Sequence, residues 1–296
     1  MNANIVPTPV KRVSSPSNAV WMQYLKRVGL DLLKGAAAAL SSFVGMMAGS
    51  IITSLLGLPK LVVPAYMNTT LTQKPFEKDL GERTKKTNRQ RLIIFSPIVV
   101  ILIGNIVIRL AEHVLGVWAW VPWIAVYWMS IGLLVLWGSG KDAIRHWMGR
   151  PQGNWLWSGL AILLVLPSLP MFLGSWQLLK PIYVWGPWLI VGLINPLLEE
   201  WYWRGLLLDT TKAWPSWMSV LGTSILFSLN HLFGIGVTSI GGRHPVLLVN
   251  AFVLGVLFGV IYKKTNSLRW AIVAHAIADL FGVSVAVFLN LWLPPG

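Results

Sequence analysis

The 296-residue chain has no cysteine and only 10 acidic residues. Without thiols there is no cysteine nucleophile, no disulfide framework and no cysteine zinc site, while the redox compartment stays open. Charge of either sign is scarce, at 11% of residues, where a soluble domain carries about 25%. Long polar stretches are equally few. A chain that is 55% hydrophobic with so little charge is read as a polytopic membrane protein. Its 18 tryptophans agree, because indole rings favour the membrane–water interface. The net charge of +14 does not point to nucleic acid. Of the 24 Lys and Arg, 13 precede residue 92 and most others punctuate apolar runs, the pattern of membrane topology and of attraction to anionic lipid.

The first 18 residues are polar and rich in Pro and Ser, so no cleavable signal peptide is expected there. Residues 20–34 place Val20, Trp21, Tyr24, Leu25, Val28, Leu32 and Leu33 at helical spacing among Lys26, Arg27 and Lys34. That pattern fits an amphipathic interfacial helix, or equally a packed soluble one. Crossing a hydrocarbon core of about 30 Å takes about 20 apolar residues. Eight stretches qualify: 36–58, 92–111, 114–139, 155–179, 181–209, 215–234, 245–262 and 268–293. The expected fold is all-α, a polytopic membrane helical bundle. Its parts are an N-terminal segment (1–35), a group of helices with a basic loop at 60–91 (36–154), and a core (155–296). With loop 60–91 in the cytoplasm, alternation puts 16 Lys and Arg on the cytoplasmic side and three, Arg109, Lys180 and Arg243, outside. The five basic residues before 36–58 are the misfit.

The rarest feature is a pair of acids inside an apolar run, Glu199 and Glu200, with Arg204 beyond them. A charge within a membrane segment costs roughly 2.5 kcal/mol or more, so it is retained for a function. On a helix Glu200 and Arg204 share a face, while Glu199 is rotated by about 100°. Arg204 is therefore expected to neutralise Glu200 and leave Glu199 for chemistry. Later apolar segments carry His231 in Phe227-Ser-Leu-Asn-His231, and His275 four residues before Asp279. Each piece alone also fits a plain role, as an interfacial helix end, a packed histidine or a His–Asp hydrogen bond. Counted from the Trp214-Pro215 turn, antiparallel helices would bring Glu199 and His231 to one depth, roughly 23 Å. His275 would lie only about 15 Å from the Thr265-Asn266 turn, a difference left to helix tilt.

Taken together, Glu199-Glu200-x-x-x-Arg204, Phe227-x-x-x-His231 and His275-x-x-x-Asp279 resemble the three motifs of the CAAX-protease and bacteriocin-processing (CPBP, or Abi) family of intramembrane peptidases. The resemblance covers about 181–285, and residues 1–150 add nothing to it. The family more often has asparagine where Asp279 stands. An ionised aspartate cannot donate to an oxyanion, so Asp279 would be protonated, accept from His275, or bind a metal. The resemblance implies an endopeptidase of membrane-associated peptides, glutamic or metallo in type. A desolvated carboxylate is a better proton acceptor, and Glu199 is assigned as the base, with His231 on the same water. His275 would stabilise the oxyanion, Asp279 orient it, and Glu200 and Arg204 support the site. As a metal centre, Glu199, His231, His275 and Asp279 would offer zinc two nitrogens and two oxygens, although no His-Glu-x-x-His helix is present.

The expected partners are the lipid bilayer and a peptide or protein substrate, lipidated or not, and no nucleic acid. The expected location is the plasma membrane, with the site opening to the cytoplasm. Two other readings fit buried Glu, His and Asp: an ion-coupled transporter, for which no inverted repeat is visible, and a catalytically idle scaffold or immunity protein. No substrate-binding residue and no oligomeric state follow from the sequence.

Overall fold

The computed structural model describes residues 73–294, with side chains from residue 87. The interfacial helix at 20–34 and the apolar segment 36–58 lie outside the described residues. Every regular element among the described residues is helical, as expected for a membrane bundle. The elements are α1 (Gln73–Leu115), α2 (Trp120–Gly138), α3 (Gly140–Trp147), α4 (Leu156–Val165), α5 (Leu169–Ser175), α6 (Ile182–Glu199), α7 (Leu207–Thr210), α8 (Ser216–Phe233), α9 (Pro245–Thr265), α10 (Arg269–Phe281) and α11 (Ser284–Phe288). The stretch 60–91, expected as a loop, is helical from Gln73 onward and opens α1. Residues 87–91, which include Arg89 and Arg91, are exposed.

Four helical stretches are long and apolar enough to cross a membrane: Thr87–Gly138, Leu156–Leu179, Ile182–Thr210 and Pro245–Thr265. The first holds two of the expected segments as an antiparallel hairpin. A Cβ on Gly138 would stand 3.1 Å from Ile93, and one on Gly104 2.9 Å from Trp123, so α1 and α2 run side by side in opposite directions. The expected segments 215–234 and 268–293 are helical but do not reach that standard. α8 carries Ser219, Thr223, Ser224, Ser228, Asn230 and His231. The last segment breaks at Val283, whose φ of 46° is left-handed, leaving α10 with 13 residues, about 20 Å long.

The lateral pattern is that of helices in lipid. On α2 the buried residues Trp120, Trp123, Ile124, Tyr127, Ile131 and Val135 recur at three- and four-residue intervals and form one inward stripe. Met129, Leu133 and Leu136 on the other face are exposed, which suits hydrocarbon surroundings. Small residues set the closest helix approaches. Ala161 on α4 meets Ala271 and Ala274 on α10 in a seam with Val165, Phe258 and Ile261. A Cβ on Gly192 of α6 would run into Leu280 of α10.

One end of the bundle is tied by a polar network. Trp147 Nε1 donates to Asp209 Oδ2 at 2.8 Å and Tyr262 Oη to Asp209 Oδ1 at 2.7 Å. The Leu268 amide donates to the Trp147 carbonyl at 2.8 Å, and Arg269 Nε to the Met148 carbonyl at 2.6 Å. The connections 138–155, 210–216 and 265–269 are gathered there, and with them the exposed basic residues Lys141, Arg145, Arg150, Lys212, Lys264 and Arg269.

Candidate active site

α6 brings Glu199 into the bundle and then changes pitch. Glu200–Leu206 form a π-helical turn, and the Leu207 amide donates to the Tyr202 carbonyl five residues back. Such turns are rare and are often found at functional sites. The sequence expected a plain α-helix here, yet the pairing it predicted forms: Arg204 Nη1 donates to Glu200 Oε1 at 2.8 Å. Both side chains are buried, at 2% and 0% exposure. Glu200 Oε2 and Arg204 Nη2 have no hydrogen-bond partner among the described residues. The guanidinium instead lies over Phe227, 4.3 Å from the ring centroid, where the aromatic face attracts the cation.

His275 of α10 sits between the carboxylates. Its Nδ1 donates to Glu200 Oε1 at 2.8 Å. Its Nε2 faces Glu199 Oε2 at 3.5 Å and Asp279 Oδ1 at 3.7 Å. The close orienting partner of His275 is therefore Glu200 and not, as expected, Asp279. His275 nevertheless reaches Glu199, with Nε2 3.5 Å from Oε2, although the two depth counts differ by about 8 Å.

On α8, His231 Nδ1 lies 2.9 Å from the Phe227 carbonyl. A carbonyl only accepts, so Nδ1 carries a proton, and in the neutral ring Nε2 keeps its lone pair. Phe227 packs edge-on against both His231 and His275, at centroid distances of 4.7 and 6.0 Å. Its place in the second motif is thus a packing role, shared among Arg204 and the two histidines.

Three residues that the sequence reading missed complete the site. Tyr127 Oη on α2 donates to Glu199 Oε1 at 2.7 Å and accepts from Trp203 Nε1 at 2.9 Å. Asn195 Nδ2 donates to Glu199 Oε2 at 3.0 Å and to Asp279 Oδ2 at 3.2 Å. Trp128 Nε1 donates to Asn195 Oδ1 at 2.9 Å, which fixes the amide with its NH2 toward the acids. Asn195 stands four residues before Glu199 in an apolar helix, a spacing that signals a shared face. Nothing local marked Tyr127 or Trp128, which come from outside the segment 155–296 taken as the core. Tyr127→Phe removes a donor to Glu199 without opening space. The expected result is a fall in kcat of about 10-fold with KM little changed, and a lowered melting temperature because the buried Trp203 Nε1 loses its acceptor; steady-state kinetics and thermal denaturation would measure the two.

Glu199, His231, His275, Asp279 and Asn195 all line one cavity of about 510 Å3. Among the described residues, no group of three or more His, Asp or Glu side chains is disposed to hold a metal ion. The cavity also lies in the half of the bundle away from the basic loops. Its walls include Ile235, Gly241, His244, Val246 and Trp292.

A family model described as Type II CAAX prenyl endopeptidase Rce1-like matches residues 181–281. No curated protein and no solved structure matches the chain. The matched range runs from the start of α6 to the end of α10 and contains all three motifs, but not Tyr127 or Trp128.

Proposed function

We propose, on the premise that residues 181–281 belong to the Rce1-like family of type II CAAX prenyl endopeptidases, that the chain hydrolyses a peptide bond of a membrane-associated polypeptide with a water activated by Glu199. The observation that carries this reading is the convergence of Glu199, His231, His275 and Asp279 on one cavity within a helical bundle.

Glu199 accepts a proton from the attacking water as its oxygen bonds to the scissile carbonyl carbon. The free Nε2 of His231 holds that water from the other side. His275 supplies positive charge or an N–H to the oxyanion that develops, and Glu200 keeps its ring in place. When the C–N bond breaks, Glu199 returns the proton to the departing amine. Arg204 balances Glu200. Asp279 shares the Asn195 amide with Glu199, so its charge is spread over a hydrogen bond and not directed at the oxyanion.

No step in this scheme passes through a metal. Cleavage by the purified protein is accordingly expected to stay within about two-fold on treatment with a strong zinc chelator, where removal of a catalytic Lewis acid worth several kcal/mol would abolish it. Loss of activity with the chelator, restored by added zinc, would replace the glutamate-only mechanism with a metal-assisted one.

A further inference from the structure

The cavity holds a buried polar side chain that the mechanism does not use. Asn230 of α8 lines it and is 3% exposed. Its main-chain carbonyl is engaged and accepts from the Gly234 amide at 2.9 Å. Its side-chain amide has no hydrogen-bond partner among the described residues. That amide is not enclosed, as the unpaired Ser284 Oγ is; it opens on the cavity. The neighbouring polar groups are all committed. Glu199 accepts from Tyr127 and Asn195, Asn195 also holds Asp279, and His275 donates to Glu200.

Phe227, Asn230, His231 and Gly234 recur at intervals of three and four and share one face of α8. Contacts fix both ends of that face. Phe227 packs against the two histidines. Gly234 stands against Trp123 of α2, where an added Cβ would collide with the ring. Asn230 lies between them, about 1.5 Å along the helix axis from His231, the residue placed against the attacking water.

Leaving a buried amide unpaired is costly, and an apolar side chain in its place would avoid the cost. A ligand that completes the bonds removes the penalty. A carboxamide offers an acceptor and two donors. An extended polypeptide presents the N–H and the C=O of one residue on the same edge, and a carboxamide can pair with both at once. We propose that Asn230 pairs with the main chain of the substrate, at a residue flanking the scissile bond. The ligand class is a polypeptide backbone in extended form, recognised whatever its side chains. This inference rests on the peptidase reading and adds to it a group that positions the substrate.

Two measurements on the purified full chain test it. Asn230→Ala is expected to melt at the wild-type temperature or above it in the same detergent, because no hydrogen bond is lost and the side chain borders open space. A fall of several degrees, as for the loss of a satisfied buried hydrogen bond, would overturn the assignment and make Asn230 structural. This arm needs no cleavage. The second arm uses a membrane-anchored peptide that wild type cuts, and a series in which single backbone N–H groups near the scissile bond are replaced by ester oxygens. In wild type one replacement is expected to raise KM about five- to ten-fold, with kcat within about two-fold. Asn230→Ala should show that raised KM with the parent peptide and little further rise with the ester. The same ester penalty in both proteins, or none in either, would overturn the pairing. No cleavage of any peptide by wild type would instead remove the peptidase reading, and this inference with it.

Discussion

Glu199→Gln is expected to lower cleavage by about 10³-fold or more, the upper range of what a positioned general base contributes, in a protein that still folds. Glutamine keeps the shape of the side chain but cannot take a proton from water. The surroundings make the loss hard to repair. Oε1 accepts from Tyr127 and Oε2 from Asn195. The Asn195 amide cannot turn over without giving up its bond from Trp128. A glutamine NH2 can then face only the Tyr127 hydroxyl, which must accept from it and turn its own proton away unpaired, at a cost of about 1–3 kcal/mol. That lowers the thermal midpoint but leaves the bundle standing. Single-turnover cleavage, with the melting temperature in the same detergent, separates the two effects. Activity near wild type would show that Glu199 is not the base.

Arg204→Ala is expected to act on stability first. Removing one partner of a buried ion pair leaves the other as an uncompensated charge, at a cost of about 3–5 kcal/mol. Here Glu200 has no exposure and one of its oxygens already lacks a partner. The guanidinium also fills the space beside Phe227 and Gly255. The expected outcome is a sharp fall in folded, monodisperse protein on size-exclusion chromatography. Combining Arg204→Met with Glu200→Gln should recover much of that yield, since no unpaired charge remains. Activity should not return, because His275 loses its charged partner. A normal yield for Arg204→Ala alone would remove the structural role given to the pair.

Local arithmetic made part of this site legible. The 100° rotation between Glu199 and Glu200 correctly separated the acid that lines the cavity from the acid that pairs with Arg204. The i,i+4 spacing placed Asp279 below His275, though at 3.7 Å and not in a hydrogen bond. The all-helical class followed from composition. What could not be read depends on contacts between distant parts of the chain. Tyr127 reaches Glu199 across 72 positions, and an apolar helix with one tyrosine gives no sign of which helix it will face. Two of the expected spans, α8 and α10, fall short in length or apolarity, because helices that pack against neighbours need not satisfy lipid along their full length.

The central claim is that this bundle hydrolyses peptide bonds in a membrane setting. It is tested most directly by incubating purified, detergent-solubilised protein with a library of membrane-anchored peptides and identifying the products by mass spectrometry, for wild type and Glu199→Gln in parallel. The account predicts defined new termini with wild type and none with Glu199→Gln. The same termini from both proteins would contradict it.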